Sequence, residues 1–332
     1  MPSASVRHPG YAAVANAIAA SSRILVSGHI SPDGDSLGSM IAMARMLTAA
    51  GKQAFAAADV KALGKPGFLD GCADIIPLRK LRRKKFDLFI YVDCASPDRL
   101  PPEVRPFAEK LPTITIDHHA TSVAASEAAI IDHTASSAGE IVWRLAKWME
   151  WKFDRAIAEA LWVAIVTDSG RFAYDSTRPG TLRAAGDLLK YGVRTAWIND
   201  ILYSGFPRKA IELKRIAWRS LHVWKNRKVA EVTLTRDDFR EVRGSKADAE
   251  DVIEIPRSVA KNEVALFFYQ IPDRTKETRV SIRTRDPWDA TVLAKKFGGG
   301  GHVRAAGCTI KGGMAVAKRQ MRAAVRELLK VQ

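Results

Sequence analysis

One histidine and two aspartates lie within seven positions of one another in the segment GHISPDGDSLGS, residues 28–39. They are His29, Asp33 and Asp35, and they follow RILV, an apolar run typical of a buried strand. PDGD is also a good turn sequence, so this segment alone leaves a turn and half of a metal site open. Gly34, between the two aspartates, is expected to let the backbone reverse so that the carboxylates point in different directions.

Three further segments end in residues of the same chemical type. LFIYVDC ends near Asp93, TITIDHH supplies Asp117, His118 and His119, and LWVAIVTDSGRF supplies Asp168. Gathered carboxylates repel one another unless cations neutralise them, and a mixture of imidazole and carboxylate suits Mn²⁺ and, less exclusively, Zn²⁺ or Fe²⁺. Two such ions can activate water and polarise a phosphoryl group. Together the four segments predict a two-metal phosphodiesterase site.

The elements that carry these residues alternate along the first half of the chain. RILVSGH, FDLFIYVDC and TITIDHH have the continuous apolar character of buried strands, and helical patterns such as SLGSMIAMARMLTAAGK and DRAIAEALWVAIVTDSG lie between and after them. This alternation predicts an α/β fold with a parallel sheet that is covered by helices on both faces. Ligands of such sheets bind beyond the carboxyl ends of the strands, where the aspartates and histidines are expected.

The second half predicts a smaller α/β domain. KVAEVTLT, EVALFFYQI and TRVSIRT are typical of strands in a mixed sheet. We therefore expect a catalytic domain at 1–195, a helical linker at 196–215 and a substrate-binding domain at 216–332. Residues 1–200 contain 24 basic and 21 acidic residues, and residues 201–332 contain 28 and 15. The basic second half favours a phosphate-rich partner, although a generally basic proteome would explain the same balance.

Composition narrows the class of protein further. The longest apolar runs fall short of the roughly 20 residues that a membrane-spanning helix needs, so no membrane partner is expected. Three cysteines lie far apart without a C-x-x-C motif, which argues against a disulfide framework and favours a reducing cytoplasm.

The order of the motifs resembles the DHH phosphoesterase superfamily. HISPDGD, VDC and DHH are followed by SSAGEIVWRL (136–145) and VTDSGRF (166–172), which resemble the later motifs of that family. In the second half, VSIRT (280–284) and FGGGGHVRAAG (297–307) resemble the DHH-associated substrate-binding domain. The length of the chain points to the oligoribonuclease/pAp phosphatase (nanoRNase) branch.

The resemblance implies a role for each candidate residue. The first metal ion would be held by His29, Asp33 and Asp93. The second would be held by Asp35, Asp93, His118 and Asp168, with Asp93 shared. Asp117 would orient a histidine or the strand end, and His119 would face the substrate phosphate or act as a general acid.

The glycine run of the second half offers backbone N–H groups that can approach a phosphate, although a flexible loop is an alternative for any such run. We expect substrate contacts from this run and from nearby polar and basic residues: Ser281, Arg283, Gly299, Gly300, Gly301, His302 and Arg304.

The expected function is a divalent-metal-dependent phosphoesterase that hydrolyses short oligoribonucleotides to mononucleotides and pAp to AMP. Two metal ions are expected, Mn²⁺ before Mg²⁺ or others, with short RNA or a nucleotide as the partner and a homodimer as one option for assembly. A linear or cyclic dinucleotide phosphodiesterase requires the same cluster. An exopolyphosphatase or pyrophosphatase needs no nucleoside pocket, and a non-catalytic RNA- or nucleotide-binding module would have degenerate metal ligands.

Overall fold

The computed structural model describes residues 8–94, 96–119, 126, 128–270 and 277–330, with the side chain of His302 left aside. The chain divides into two compact units, Met1–Ser204 and Gly205–Gln332. The division falls within the segment 196–215. No helix among the described residues is long and apolar enough to cross a membrane.

Six parallel strands form the sheet of the first unit. They are β1 (Arg23–Ser27), β2 (Gln53–Ala58), β3 (Ile76–Pro77), β4 (Leu88–Val92), β5 (Thr113–Asp117) and β6 (Ala128–Ile131). Their order in the sheet is β3-β2-β1-β4-β5-β6, and every neighbouring pair is parallel. The predicted parallel sheet is therefore confirmed.

Seven helices belong to the described part of this unit. They are α1 (Gly10–Ala20), α2 (Gly34–Ala49), α3 (Arg105–Lys110), α4 (Ala138–Trp148), α5 (Arg155–Asp168), α6 (Pro179–Leu189) and α7 (Thr195–Tyr203). Alternate residues of β1 point to opposite faces, so Ile24 and Val26 join a core with α1, α2, α4 and α5, and Leu25 joins a second core. That second core includes Val104, just before α3, and Leu81 from a 3₁₀ segment, Leu78–Arg83.

Glycines allow α2, α4 and α5 to pack closely on the first face of the sheet. A Cβ atom at Gly38 would lie 2.2 Å from the Ala160 carbonyl oxygen, and one at Gly139 would lie 2.4 Å from the Ala164 Cβ. Both distances are well below van der Waals contact, so a larger side chain would separate the helices. This close packing matters for the site because α2, α4 and α5 each carry part of it.

The second unit contains a mixed sheet. Its strands are β7 (His222–Trp224), β8 (Val229–Leu234), β9 (Val264–Tyr269), β10 (Glu277–Thr284), β11 (Gly300–His302) and β12 (Ala305–Lys311), in the order β11-β12-β10-β9-β8-β7. Strands β8 and β9 are parallel, and the other neighbouring pairs are antiparallel. Its helices are α8 (Arg208–Arg219), α9 (Arg236–Glu241), α10 (Glu254–Arg257), α11 (Ala290–Lys295) and α12 (Met314–Leu328). This confirms the predicted mixed sheet.

Candidate metal centre

The predicted ligands meet at the carboxyl edge of the first sheet. His29 follows β1, Asp93 follows β4, and Asp117 ends β5 with His118 directly after it. Asp168 is the last residue of α5. Because the strands are parallel and adjacent, residues that are distant in sequence reach one edge of the sheet.

His29, Asp33 and Asp93 form one group whose ligand atoms lie within 4.8 Å of one another. The Nε2 atom of His29 is 3.3 Å from Oδ2 of Asp93 and 3.7 Å from Oδ2 of Asp33. Asp33 is also the N-cap of α2, because its Oδ1 accepts hydrogen bonds from the backbone N–H groups of Asp35 and Ser36, both at 3.0 Å. Capping leaves Oδ2 of Asp33 on the side of His29.

Asp35, His118 and Asp168 form a second group within the same distance limit. The Nε2 atom of His118 is 3.4 Å from Oδ2 of Asp168 and 3.7 Å from Oδ2 of Asp35. Asp35 and Asp33 thus belong to different groups although they lie two residues apart.

Asp93 contacts both groups. Its Oδ2 faces His29, and its Oδ1 lies 3.7 Å from Nε2 of His118 and 3.6 Å from Nδ1 of His119. The backbone of Asp93 is left-handed, with φ of 56°. A non-glycine residue in this region carries conformational strain, which is common at functional sites. The structure therefore places one buried carboxylate between the two sets of imidazoles.

Asp117 holds the residues that follow it. Its Oδ1 accepts a hydrogen bond from the backbone N–H of His118 at 2.8 Å and lies 2.7 Å from Nδ1 of His119. Asp93, Asp117, His118 and His119 also form a group that could hold a metal ion. The geometry thus leaves two roles for His119, a ligand and a residue that Asp117 orients.

The sequence analysis missed two supporting residues, Ser39, which contacts Asp35, and Glu140, which lies at the start of α4. The backbone N–H groups of Ala138 and Gly139, in the first turn of α4, donate to Asp35 at 2.7 and 2.9 Å, and Ser39 Oγ donates at 3.1 Å. Glu140 is fully buried and accepts hydrogen bonds from the backbone and side chain of Ser136. The spacing S-x-x-E in SAGE, typical of a helix N-terminus, was the available signal.

The structure corrects the expected role of Gly34. Its backbone is not left-handed, and Gly34 is the first residue of α2 rather than the point where the chain reverses. A Cβ atom there would lie 2.4 Å from Oγ1 of Thr167, next to Asp168 in α5. Glycine at this position allows α2 to approach α5, and the helical turn itself separates the two carboxylates.

The imidazoles of His29 and His118 hold protons, and their positive charge compensates for the negative charge of the carboxylates. Burial lowers the pKa of His29, but hydrogen bonds to Asp33 and Asp93 outweigh burial and raise the pKa to about 10. Burial likewise opposes protonation of His118, but its hydrogen bond to Asp93 and the charge of Asp168 raise the pKa to about 10. In the metal-free protein, protons on these histidines partly neutralise the carboxylates.

The pKa values of the carboxyl groups reflect their burial and the repulsion between their negative charges. Burial raises the pKa of Asp35 well above its usual value, and the charges of Asp93 and Asp168 raise it further. Burial raises the pKa of Asp168 to about 7, against the opposing effect of His118. Burial acts the same way on Asp93, but hydrogen bonds from His118 and His29 hold its pKa well below the usual range. A donor set of imidazoles together with carboxylates that repel one another fits divalent cations.

Three of the seven predicted substrate residues of the second unit line a pocket of about 370 Å³. Ser281, Gly299 and Gly300 line it together with Arg279 and Tyr269, which the sequence analysis missed. The available signal was the alternation along β10, where residues 277, 279, 281 and 283 are half-buried and the residues between them are buried. Arg279 therefore shares the face of Ser281, and its Nε is buried without a hydrogen-bond partner in the described structure.

The other predicted substrate residues are not among those that line this pocket. Nη1 of Arg283 donates to the Ile282 carbonyl at 3.1 Å, and Arg304 donates to the Trp288 carbonyl at 2.8 Å and pairs with Asp286. Gly301 packs against β12, since a Cβ atom there would lie 2.4 Å from the Ala305 carbonyl oxygen. The backbone of His302 pairs with Ala305, and its side chain lies outside the described structure.

Comparison with known proteins gives the family of this chain. Residues 23–165 match the DHH family, N-terminal domain, and residues 238–331 match the DHHA1 domain. The bifunctional oligoribonuclease and PAP phosphatase NrnA of Thermus thermophilus is 31% identical over 300 residues, covering 87% of this chain and 84% of that protein. This chain belongs to the DHH phosphoesterase family. It is thus a hydrolase of phosphoester bonds.

Two solved structures share the fold of this DHH protein. An exopolyphosphatase-related protein from Bacteroides fragilis superposes with a TM-score of 0.89 at 22% identity, covering 96% of both chains. RecJ from Thermus thermophilus, in complex with Mn²⁺, superposes with a TM-score of 0.50 at 16% identity, covering 96% of this chain and 54% of that one.

Proposed function

We propose that this DHH phosphoesterase hydrolyses short oligoribonucleotides to mononucleotides, and pAp to AMP, with two divalent metal ions. The observation that carries the proposal is the position of Asp93, whose two carboxylate oxygens face different histidine groups. A shared carboxylate between two sets of ligands is what a two-metal phosphoesterase requires.

We propose one ligand set for each ion. His29, Asp33 and Asp93 would hold one ion. The other would be held by Asp35, Asp93, His118 and Asp168. When bound, two divalent ions activate water and polarise the phosphoryl group. Mn²⁺ is the preferred candidate because the donors mix imidazole with carboxylate.

The protein's own contribution at the reacting bond is assigned to His119 and Asp117. Asp117 engages Nδ1 of His119 and fixes the orientation of the ring. We assign to His119 the donation of a proton from Nε2 to the leaving oxygen, or a contact with the substrate phosphate. A positioned general acid of this kind contributes roughly 10²–10⁴-fold to the rate.

Substrate recognition is assigned to the second unit, so that 1–195 is the catalytic domain, 196–215 the linker and 216–332 the substrate-binding domain. Ser281, Gly299 and Gly300 would contact a nucleotide in the pocket, and Arg279 adds a cation there. Arg283, Gly301, His302 and Arg304 remain candidates, although Arg304 already pairs with Asp286. The similarity to NrnA supports short RNA and pAp as substrates.

The deciding experiment is a substrate panel. The purified protein is incubated with Mn²⁺, Mg²⁺ or chelator and with RNA of two to five nucleotides, pAp, cyclic dinucleotides, and polyphosphate. We expect hydrolysis of the short RNAs and pAp that depends on the metal. Hydrolysis of a cyclic dinucleotide or of polyphosphate alone would replace the proposed substrate class, and full activity in chelator would refute the metal-dependent mechanism.

A further inference from the structure

A strongly basic surface lies in the first unit, away from the candidate metal centre. The segment RKLRRKK, Arg79–Lys85, places six basic residues in seven positions, and the exception, Leu81, is fully buried. We call this the basic segment. Because Leu81 anchors the segment in the core with Phe86 and Val104, the basic side chains are held at the surface of the folded domain.

The basic segment borders a groove of about 670 Å³. Arg82, Lys84, Lys85 and Lys110 line it, and Phe86 and Phe107 contribute apolar surface with ring centroids 5.5 Å apart. Phe86 is nearly buried and Phe107 is half-buried, so the apolar surface is recessed between cations. Glu103 is an acidic residue that also lines the groove.

The groove and the metal centre lie at opposite ends of the same strands. Residues 82–86 precede β4 and residues 102–111 precede β5, whereas Asp93 follows β4 and Asp117 ends β5. A strand of five residues rises about 16 Å, at roughly 3.3 Å per residue. The groove is therefore a separate site at the amino edge of the sheet.

The cations of this surface have no carboxylate partner among the described residues, although Lys84 Nζ lies 5.3 Å from the centroid of the Phe55 ring. Within the described ranges, none of the six basic side chains of the basic segment, and not Lys110, lies within 4.0 Å of a carboxylate oxygen. Residues 1–200 contain 24 basic and 21 acidic residues, and the basic segment holds six of the former, which leaves 18 for the remainder. Outside this segment, that part of the chain is slightly acidic, so its positive charge is concentrated here.

We propose that this groove binds the phosphate backbone of an RNA chain. A positively charged groove with aromatic side chains matches the way proteins bind single strands without sequence preference, through phosphate contacts and base stacking. A bilayer surface fits less well, because its flat face would not reach an apolar floor that is recessed between cations. The proposal goes beyond the proposed hydrolysis, since binding here requires neither metal nor the catalytic residues.

The first test uses lysine footprinting of the full-length protein. The protein is acylated with a limiting reagent in chelator, with and without a 20-nucleotide single-stranded RNA, and modification is measured by mass spectrometry. We expect RNA to slow modification of Lys84, Lys85 and Lys110 at least threefold and to leave Lys152, an exposed lysine of the α4–α5 connection, unchanged. Equal rates with and without RNA at the three groove lysines overturn the proposal.

The second test compares two variants of equal net charge. K84Q/K85Q removes two groove cations, and K152Q/R155Q removes two exposed cations elsewhere in the same unit; thermal melts check that both fold. By fluorescence anisotropy in chelator, the groove variant should bind RNA at least fivefold more weakly at low salt. The slope of the logarithm of its association constant against the logarithm of the salt concentration should be shallower by about 1.4, at roughly 0.7 for each of two lost phosphate contacts.

Equal weakening in both variants would show only a general charge effect and would overturn the proposal. Protection of the groove lysines by phosphatidylserine vesicles but not by RNA would replace it with membrane binding. Because both tests exclude metal and measure no hydrolysis, their failure is distinguishable from failure of the proposed function.

Discussion

At the residue scale, Asp93 lies between the two groups of the candidate metal centre. The residue is buried, its backbone is left-handed, and its two oxygens face His29 on one side and His118 on the other. Asparagine has nearly the same shape and tolerates the left-handed region, so a substitution to Asn removes the charge with little backbone cost. This makes Asp93→Asn a cleaner probe of the shared carboxylate than Asp93→Ala.

We expect Asp93→Asn to lose the ability to hold two metal ions, because both groups depend on the same carboxylate. The wild type should bind two Mn²⁺ per chain in equilibrium dialysis with elemental analysis, and the variant fewer than one. Its activity should fall on the order of 100-fold or more. Asp74→Asn, at an exposed aspartate, is the matched control. An Asp93→Asn protein with two ions and full activity would refute the shared role.

His119 is the residue whose role the geometry leaves between ligand and proton donor. If it is the general acid, His119→Gln lowers kcat by about 10²–10⁴-fold and leaves two Mn²⁺ bound. If it is a ligand, the same substitution lowers the metal stoichiometry. The two outcomes separate in one dialysis experiment, with His222→Gln in the second unit as the control at an exposed histidine.

At the element scale, the site depends on how closely three helices approach. The first turn of α4 donates two backbone hydrogen bonds to Asp35, and α5 ends at Asp168. Glycines at the contacts of α2 with α5 and of α4 with α5 make this approach possible. The predicted metal ligands are therefore positioned by helix packing at glycines that are not themselves candidate ligands.

We expect Gly139→Ala to destabilise the first unit, because the added methyl group would lie 2.4 Å from the Ala164 Cβ. Overpacking of a core costs about 1–3 kcal/mol. Metal affinity should fall as well, since the backbone that anchors Asp35 must shift. Thermal melts and Mn²⁺ titration measure the two effects.

Gly186→Ala is the matched control for this prediction. A Cβ atom at this exposed position of α6 would meet no atom within 4 Å. Because alanine is more favourable than glycine in a helix interior, this variant should be more stable than the wild type by about 0.5–1 kcal/mol. If both glycine variants behave alike, close helix packing is not what Gly139 provides.

At the scale of the whole molecule, the metal centre couples folding to pH. The pKa values of His29 and His118 are raised from 6.5 to about 10 in the folded, metal-free protein. Their protonated forms stabilise the fold fully below pH 6.5, and this contribution is lost as the pH rises towards 10. Asp168, with its pKa raised from 3.8 to about 7, acts in the same direction between those two values.

We therefore expect the melting temperature of the metal-free protein to fall between pH 6.5 and 9, by about 5 °C or more. With Mn²⁺ the decrease should shrink or reverse, because metal ions require the deprotonated imidazoles and bind only the folded state. Differential scanning calorimetry with and without chelator measures the difference, which should widen as the pH rises. Parallel curves for the two conditions would contradict the linkage, and Asp93→Asn should show little metal dependence.

The sequence by itself predicted the candidate metal ligands and determined the class of the fold. Continuous apolar strands such as FDLFIYVDC predict a parallel sheet, and this periodicity is local, so it can be read without the structure. Asp93 and DHH at 117–119 stand at the carboxyl ends of two such strands. A parallel sheet brings these ends to the same edge, so the prediction that the residues meet needed only the sheet. The sequence analysis did not predict the strands that are weakly apolar or short, which are β2 (QAFAAA) and β3 (Ile76–Pro77).

Only the tertiary structure decided which residues support the site. Local patterns place Glu140 at the start of a helix and Arg279 on the face of Ser281, but what these side chains contact also depends on residues that are distant in sequence, Thr181 for Glu140 and the glycine run for Arg279. Gly34 shows the same limit, since its sequence context indicated a reversal of the chain whereas the contact that requires glycine is with Thr167 in another helix. Residue type and spacing reveal which atoms could react, but close packing across elements is a property of the folded chain.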